Sequence, residues 1–594
     1  MPLHESSPLM SPDLPSASGR PLVSGQPSAL GASYYLTTPI YYVNGVPHLG
    51  TAYTTVAADA LARFERLDGR DTWFLTGLDE HGQKVAQTAA AEGITPQEWV
   101  DAVAPQFLDV WRMLDITNDD FIRTTQARHI QGVQRFFEAL RDNGYIYEGN
   151  YAGYYCVPDE TFFTDEQLIE FAEQRALQNL PATVATESGE LPLCPDCARP
   201  LTFVEEENLY FRLSAFQDHL LAYYEAHPDF IQPEFRRNEV ISFVKSGLKD
   251  LSVSRTTFDW GVPIPFAPGH VSYVWVDALI NYITAVGYGS DDPRDQALFE
   301  RYWPAQVHFV GKDIIRFHCV IWPAMLMAAG IDLPQKVFAH GFLLTKGEKM
   351  SKSRGNAMSP TELARIFTVD GYRYYFLSDV QFGADGSISL ERMVQVYNTD
   401  LANTWGNLCS RVFNMTNRYL DGVVPDLWEK TTAALTREMG NPLAELAQGD
   451  LYERYAACMN AIDYSGALAV ALQLAQRANL FIEECAPWTL AKAVAAEAAA
   501  AAQSGERLED ATAPTAADRL AFVLYNLLEA IRILALYLAP VMPESSVEVY
   551  RRLGLGELFA THDLFTATRW GGLSAGNQVT VGEPLFPRLD AEEL

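Results

Sequence analysis

The stretch "YYVNGVPHLGTAY", residues 41–53, ends one predicted strand and begins the next predicted helix. Upstream, the aromatic and β-branched run "YYLTTPIYYV" (34–43) is typical of a buried strand, and downstream a helical pattern runs from about Thr51 to Leu67. The corner between them holds His48 and Gly50. Such a corner lies at the carboxyl end of a strand, where open α/β sheets bind their ligands. The sequence therefore predicts a ligand site here.

The alternation of strands and helices continues outward from this corner. "DTWFLTG" follows the first helix, another helix begins near Gln83, and strands return at "HFVGKD" (308–313) and "KVFAHGFLLT" (336–345). Such βαβ units predict an α/β fold with a Rossmann-like parallel sheet, and helical spacing after about residue 395 predicts an all-α bundle. The predicted segments are a disordered leader (1–33), the first half of the α/β domain (34–149), an insert (150–245), the second half (246–344), a segment with a lysine-rich loop (345–395), the bundle (396–570) and a tail (571–594).

Composition excludes several classes of protein. The 594 residues carry a formal net charge of −31, so a generally basic nucleic-acid binder is excluded, and any nucleic-acid contact must come from local Lys/Arg clusters. The leader is rich in Ser, Pro and Gly and lacks an apolar signal segment, which predicts a cytoplasmic protein. The apolar run from residue 521 carries Glu529 and Arg532, which favours a core helix over a membrane span.

His48 has two interpretations. An imidazole beside a helix N-terminus can donate a hydrogen bond to phosphate oxygens whose charge rises during an in-line displacement, or it can simply cap the helix. A partner for the first interpretation is "TKGEKMSKSRGN" (345–356), where four cations accompany one glutamate. A charge run is usually a solvated face, but this one is an island of net +3 at the end of a predicted strand in an acidic chain. Its lysines could close over a triphosphate and neutralise departing pyrophosphate.

The pair P-H-L-G and K-M-S-K-S resembles the two signatures of the class I aminoacyl-tRNA synthetases, and the similarity to the methionyl-tRNA synthetase family runs from about Tyr34 to about Pro587. The resemblance implies a Rossmann-like catalytic domain, a connective insert, a stem-contact segment with the KMSKS loop and an anticodon-binding helical bundle. It assigns catalysis to His48, Thr51, Lys349 and Lys352, and ATP binding to His48, Gly50, Gly311, Asp313 and Lys352. The family's first signature usually ends in a second histidine. Here that residue is Thr51, which can donate a hydroxyl to phosphate or cap the helix but cannot carry positive charge.

Several residues bear on the choice of amino acid. Asp79 follows the strand "DTWFLTG", where its carboxylate could hold an α-ammonium group or serve as a helix N-cap. Trp275, Ala278 and Tyr282 share one helical face, which is usually core, but aromatic rings also suit a polarizable thioether. The resemblance assigns methionine binding to Ile40, Tyr42, Asp79, Trp275, Ala278, Tyr282 and His318.

The insert contains cysteines with the spacing of zinc ligands. Cys194 and Cys197 have the spacing at which a turn aims two thiolates at one zinc ion, and Cys156 and Asp159 repeat that spacing upstream. The family's zinc knuckles commonly have four cysteines, so the alternatives are a structural Zn²⁺ with Asp159 as the fourth ligand and a vestigial knuckle held by packing.

The length of the insert bears on how homocysteine is rejected. The insert is shorter than the separate hydrolytic domains of the isoleucyl, leucyl and valyl enzymes. We therefore expect that homocysteine is rejected in the synthetic site.

The predicted bundle carries a polar helical face. Asn403, Asn407 and Arg411 recur every four residues, and such a face either meets water or reads the base edges of an unstacked loop. Trp488 could stack on a splayed base or be buried in the bundle. The resemblance assigns Asn407, Arg411 and Trp488 to the tRNA anticodon. The sequence stops where some relatives append a dimerisation domain, so we expect a monomer.

The expected reaction is that of an ATP-dependent ligase. Methionine carboxylate attacks the α-phosphate of ATP, supplied with Mg²⁺, and the methionyl group then passes to tRNA(Met). One structural Zn²⁺ is the other expected cofactor. The alternatives are another class I enzyme, such as a cysteinyl synthetase with zinc in its pocket, and a non-catalytic RNA-binding paralogue in which Thr51 marks lost chemistry. The intact lysine loop argues against the paralogue.

Overall fold

The computed structural model describes residues 31–590 except 44, 158–160, 164, 187–188, 196, 346–347, 350–358, 428 and 505–512. The strands are β1 (Ser33–Tyr42), β2 (Asp71–Asp79), β3 (Asp120–Arg123), β4 (Ile146–Cys156), β5 (Thr161–Phe163), β6 (Thr183–Thr186), β7 (Gly189–Pro192), β8 (Thr202–Phe211), β9 (Ile231–Gln232), β10 (Leu251–Ser252), β11 (Ser254–Arg255), β12 (Val271–Ser272), β13 (Val307–Gly311), β14 (Val337–His340), β15 (Leu343–Thr345), β16 (Glu348–Lys349) and β17 (Gly386–Ser387).

The α-helices are α1 (Leu49–Leu67), α2 (Gln83–Ala91), α3 (Pro96–Met113), α4 (Ala127–Asp142), α5 (Asp165–Leu177), α6 (Gln217–Ala226), α7 (Glu234–Lys245), α8 (Val274–Thr284), α9 (Pro293–Tyr302), α10 (Trp322–Ala329), α11 (Pro360–Ser378), α12 (Leu390–Val396), α13 (Asn407–Leu420), α14 (Glu429–Met439), α15 (Pro442–Ala447), α16 (Leu451–Asn460), α17 (Tyr464–Cys485), α18 (Pro487–Ser504), α19 (Ala516–Leu538), α20 (Pro543–Arg552) and α21 (Leu564–Ala567). Two π-helical turns, Phe317–Ile321 and Tyr397–Gly406, lead into α10 and α13.

The central sheet is parallel throughout, in the order β3-β2-β1-β13-β14-β9. The predicted α/β fold is therefore confirmed. From β1 the chain builds outward to β2 and β3, and it later returns to the other side of β1 with β13. The strand order thus reverses between β1 and β13, and a crevice at such a reversal is where open α/β sheets bind ligands. The corner at His48 follows β1, so it lies at this crevice.

The segment predicted as the insert contributes to two sheets. Strands β4, β5, β8 and β10 form an antiparallel sheet in the order β10-β8-β4-β5. Farther along the same segment, β9 pairs in parallel with β14 and forms the edge of the central sheet, with Ile231 opposite Val337. The chain therefore rejoins the α/β domain before α7.

The C-terminal third is helical, as predicted. Leu401, Trp405, Leu408 and Val412 are fully buried, which confirms the apolar face read from their spacing. Among the described residues, one helix, α19, is long and apolar enough to cross a membrane by length and composition, and 89% of its most apolar window is buried inside the protein. It is the predicted core helix of the bundle.

A buried carboxylate fastens the C-terminal segment to α19. Glu529 accepts hydrogen bonds from the backbone N–H groups of Gly571 (2.7 Å), Gly572 (2.8 Å) and Leu573 (3.0 Å). The same carboxylate pairs with Arg532 at 2.7 Å. These hydrogen bonds to a buried carboxylate hold the segment after α21 against the bundle.

Candidate active site

The turn after β1 is built around His48. His48 is the N-cap of α1, and its Nδ1 accepts a hydrogen bond from the Thr51 N–H at 3.2 Å. A Cβ at Gly50 would lie 3.2 Å from the imidazole ring, so glycine lets the ring fold back over the turn. With Nδ1 accepting, the neutral ring carries its proton on Nε2, and the His48 side chain is exposed. The structure shows the cap, and the donor interpretation is compatible with it because the two roles use different nitrogens.

Thr51 lies inside the first turn of α1, which begins at Leu49. The expectation that Thr51 could cap this helix is wrong, since His48 is the N-cap. Thr51 is only 6% exposed, and its carbonyl accepts from the Thr55 hydroxyl at 2.9 Å, as one turn of helix places it.

The other side of the crevice is formed by the end of β13. Gly311 ends that strand, and Asp313 follows in an exposed 3-10 turn. A Cβ at Gly311 would lie 2.4 Å from Asp313 Oδ1, so the glycine allows the carboxylate to fold across the strand end. The structure thus places Asp313 beside the crevice, at the edge where a nucleotide would lie.

The predicted lysine loop follows β15. Lys349 lies in β16, which pairs antiparallel with β15, and Lys352 lies outside the described residues. The base of the loop is joined to the end of β13, because Asp385 accepts from the Phe342 N–H (2.8 Å) and pairs with Lys312 Nζ (2.7 Å). The start of β15 is therefore joined to the end of β13 through Asp385.

The aromatic side chains of the predicted methionine pocket lie in an apolar cluster beside β1 and β13. The Tyr282 hydroxyl donates to His318 Nε2 at 2.7 Å, and His318 Nδ1 donates to the Ile314 carbonyl at 3.0 Å. Trp275 stacks on Phe317, with ring centroids 4.1 Å apart. Ala278 is buried on the same helix as Trp275 and Tyr282, and Ile40 and Tyr42 pack against the same apolar core. The structure therefore brings α8, which carries Trp275, Ala278 and Tyr282, against the π-helical turn that carries His318.

This pocket is electrically neutral at its centre. Burial lowers the pKa of His318 to about 4, so the ring is uncharged at physiological pH. Burial likewise raises the pKa of the Tyr282 hydroxyl, which stays protonated. A neutral, polarizable lining suits an uncharged side chain such as a thioether better than a charged one.

Asp79 ends β2 directly opposite Tyr42 of β1 and is 7% exposed. The alternative interpretation, a helix N-cap, is wrong, because Gly82 occupies that position of α2. The place of Asp79 at the carboxyl end of β2, beside Tyr42, fits a contact with a substrate ammonium group.

The cysteines of the insert form a separate cluster. The ligand atoms of Cys156, Cys194 and Cys197 all lie within 4.8 Å of one another, and the Sγ atoms of Cys156 and Cys197 are 3.6 Å apart. Tetrahedral zinc with Zn–S bonds of about 2.3 Å separates its thiolates by roughly 3.8 Å. The three thiols therefore fit a zinc ion, and the predicted fourth ligand, Asp159, lies outside the described residues.

The polar face of the bundle brings its predicted residues together. The Arg411 guanidinium lies 6.0 Å from the Trp488 ring centroid and pairs with Glu483 at 2.7 Å. Trp488 is 37% exposed, so it is not the buried core residue of the alternative interpretation, and Asn407 is exposed one helical turn from Arg411. An exposed ring, a cation and an amide form a surface on which an unpaired base could stack.

Comparison with known proteins decides the family. The profile described as tRNA synthetases class I (M) matches residues 34–413. The chain is 46% identical over 561 residues to the methionine–tRNA ligase of Caldanaerobacter subterraneus subsp. tengcongensis, covering 94% of this chain and 80% of that one. It is 44% identical to the Streptomyces coelicolor ligase over 94% and 97% of the two chains. The Mycobacterium tuberculosis methionyl-tRNA synthetase in complex with methionyl-adenylate superposes with a TM-score of 0.80 at 43% identity, covering 94% of this chain and all of that one.

The chain belongs to the methionyl family of class I tRNA synthetases. Sequence reasoning missed Phe317, which stacks on Trp275, and His308, whose ring stacks on Tyr282 with centroids 4.2 Å apart. Phe317 directly precedes the predicted His318, but nothing in its spacing indicated a contact with α8.

One prediction concerns the pocket of this methionyl-family chain. Tyr282→Phe removes the donor to His318 Nε2 and leaves a buried acceptor unsatisfied, which costs about 1–3 kcal/mol. We expect the KM for methionine to rise roughly tenfold and the KM for ATP to stay within about twofold, as initial rates of ATP–pyrophosphate exchange would measure. Tyr302→Phe, whose hydroxyl donates to Asp71 at the opposite end of the sheet, is the matched control. Equal changes in the two KM values would contradict this role.

Proposed function

We propose that the chain is a methionine–tRNA ligase, which activates L-methionine with ATP and transfers it to tRNA(Met). Three features support the proposal: the helix N-terminus capped by His48, the end of β13 at Gly311, and the neutral aromatic cluster around Tyr282 and His318, with Asp79 at the end of β2. The M. tuberculosis relative, which superposes on this chain, holds methionyl-adenylate, the intermediate that such a site would form.

Different site residues would contribute to the first step, the formation of methionyl-adenylate. A methionine carboxylate oxygen attacks the α-phosphorus of ATP, the bond to the bridging oxygen breaks, and pyrophosphate leaves with that electron pair. The proton on His48 Nε2 serves as a donor to phosphate oxygens, and Lys349 and Lys352 would neutralise the leaving group. Asp79 would hold the α-ammonium group, and Asp313 would accept from ribose hydroxyls. Mg²⁺ supplied with ATP would shield the charge of the phosphates.

Transfer completes the reaction. A hydroxyl of the 3′-terminal adenosine attacks the methionyl carbonyl carbon, and AMP leaves. The first step needs no protein base, because the attacking carboxylate is already ionised. Thr51 supplies a hydroxyl at most, so phosphate stabilisation at this turn depends on His48 and the helix N-terminus.

The cysteine cluster is proposed as a structural zinc site held by Cys156, Cys194 and Cys197, with Asp159 as fourth ligand. Cys197→Ser is expected to lower bound zinc from about one ion per chain to a small fraction, because serine is a poor ligand for zinc. Elemental analysis of dialysed protein measures it, and Cys319→Ser, a buried thiol outside the cluster, is the control. Full zinc occupancy in Cys197→Ser would contradict the assignment.

The anticodon of tRNA(Met) is proposed to contact Asn407, Arg411 and Trp488. Trp488→Ala is expected to weaken tRNA binding about 5- to 150-fold, since stacking of a base on an aromatic ring contributes about 1–3 kcal/mol. Aminoacylation kinetics with varied tRNA measure the change, and methionine-dependent exchange without tRNA should stay unchanged. A loss in exchange equal to the loss in aminoacylation would contradict the assignment.

We further propose a cytoplasmic monomer with the domain boundaries given above, except that β9 belongs with the α/β domain. Rejection of homocysteine would occur in the synthetic site.

The position of the cysteine cluster bears on the cysteinyl alternative. The cluster lies in the insert and not among the aromatic residues around Tyr282, which disfavours that alternative. Exchange assays with individual amino acids, described at the end of the Discussion, test the proposed activity.

A further inference from the structure

Two histidines share one buried carboxylate near the pocket. Asp277 Oδ2 lies 2.6 Å from His81 Nδ1, and its Oδ1 lies 2.8 Å from His129 Nε2. Asp277 and His129 are fully buried, and His81 is 4% exposed. His129 Nδ1 lies 2.8 Å from the Thr284 hydroxyl of α8. The reaction proposed above uses none of these groups, so the network needs another explanation.

The network joins two parts of the proposed methionine site. Asp277 lies on α8 between Trp275 and Ala278, and His81 lies two residues after Asp79. The hydrogen bond between them therefore links the loop that follows the proposed ammonium ligand to the helix that lines the side-chain pocket. Helix α8 is itself buried along nearly its whole length, so it provides a rigid anchor.

The loop that contains His81, residues 79–82, also makes hydrogen bonds with residues outside α8. Glu80 pairs with Arg123 at 2.6 Å, and its N–H donates to the Thr124 hydroxyl at 2.9 Å. The Trp260 indole donates to the Glu80 carbonyl at 2.7 Å, and the Gly82 N–H donates to the Trp260 carbonyl at 3.1 Å. Within residues 79–82, Asp277 is the hydrogen-bond partner of the His81 side chain, whose ring also packs edge-on against Trp260. The other hydrogen bonds hold the backbone and Glu80.

The hydrogen-bonding chemistry fixes which atoms donate. Burial raises the pKa of Asp277, but the two imidazoles outweigh burial and lower it to about 2, so the group is an ionised acceptor. His81 Nδ1 and His129 Nε2 are therefore the donors. An asparagine at 277 could still accept from His81, because His129 can change tautomer and accept from the amide while donating to Thr284. An alanine would leave both donors buried without an acceptor.

We propose that Asp277 is a positioning residue for methionine recognition: through His81 it holds the loop that aims the Asp79 carboxylate at the substrate α-ammonium group. The inference rests on the proposed function. Asp277 touches no substrate atom in this account. It lowers the cost of binding by fixing a charged ligand in place before the substrate arrives.

The test uses three probes that differ at the α-carbon. L-Methionine carries both charged groups, L-methioninol keeps the ammonium and lacks the carboxylate, and 4-(methylthio)butanoate keeps the carboxylate and lacks the ammonium. Asp277→Ala is expected to weaken methionine and methioninol about tenfold or more and 4-(methylthio)butanoate less than about threefold. Asp277→Asn is expected to recover most of that loss. Ligand-observed NMR titration measures the dissociation constants.

Two further variants keep the result interpretable. If Asp277→Ala does not fold, His81→Ala and His81→Asn make the same comparison from the loop side, since asparagine retains an N–H near the position of Nδ1. Glu529→Gln, at a buried carboxylate of the bundle, is expected to lower stability and leave the three dissociation constants unchanged. Equal weakening of all three probes, or no weakening in a folded variant, would overturn the inference. Wild-type protein that binds none of the probes would overturn the proposed function as well.

Discussion

Asp79→Asn is expected to lower kcat/KM for methionine in ATP–pyrophosphate exchange by about 10²- to 10³-fold. The variant keeps the shape of the side chain and removes a charge that is 93% shielded from solvent at the carboxyl end of β2. Truncating one partner of a buried, hydrogen-bonded charge pair costs about 2–5 kcal/mol, because the ammonium group of the substrate is then left without its counter-charge. The effect should fall mainly on the KM for methionine.

A matched control lies on the same strand. Asp71 begins β2 at the opposite edge of the sheet and pairs with Arg301 on the surface. Asp71→Asn makes the same chemical change there, and an exposed pair contributes little, so its kcat/KM should stay within about twofold of wild type. An Asp79→Asn variant that is folded and within threefold of wild type would contradict the assignment of Asp79.

Arg373→Met is expected to destabilise the junction between the α/β domain and the bundle by about 3–5 kcal/mol. The Arg373 guanidinium is fully buried and lies 2.6 Å from Asp59 of α1. It also donates to the carbonyls of Leu114 (3.1 Å), Pro540 (3.1 Å) and Val541 (2.8 Å). Removing it leaves a buried carboxylate with one cation fewer and three carbonyls without their donor.

Thermal unfolding measures the destabilisation caused by Arg373→Met. At about 2–4 °C per kcal/mol for a domain of 150–250 residues, the first transition should fall by roughly 10 °C. The carboxyl pKa of Asp59 supports a strong pairing: burial raises it, but Arg63 and Arg373 together hold it below its usual range. Arg392→Met, which breaks a surface pair with Asp379, is the control and should change the transition by about 1 °C or less. Equal shifts in the two variants would contradict the account of this junction.

The local patterns of the sequence predicted the βαβ order well. The aromatic run before His48, the helix after it and the strand that ends at Asp79 all follow from residues within about ten positions of one another, and the structure places them as expected. Strand β9 could not be predicted, because two residues carry no periodicity and its partner β14 is more than a hundred residues away. Its place in the sheet depends on tertiary pairing alone.

The candidate site likewise contains residues that local sequence patterns indicate and residues that only tertiary packing brings together. His48 could be found from its turn, and the pocket residues from their resemblance to a family. The bond between His81 and Asp277 spans 196 positions, and that between Asp59 and Arg373 spans 314. Neither pair has a local signature, since a charged residue within an amphipathic helix usually faces water. Only the packing of α8 against the loop after β2, and of α1 against α11, brings these groups together.

The most direct measurement of the proposed function is ATP–pyrophosphate exchange by the purified protein, with each of the twenty amino acids supplied separately. We expect exchange with methionine, and not with cysteine or the other eighteen, because the pocket around Tyr282 and His318 is neutral and aromatic. That result would also establish that Thr51 suffices at the end of the first signature. Absence of exchange with every amino acid, in a protein that still binds tRNA, would contradict the account and indicate a non-catalytic RNA-binding paralogue.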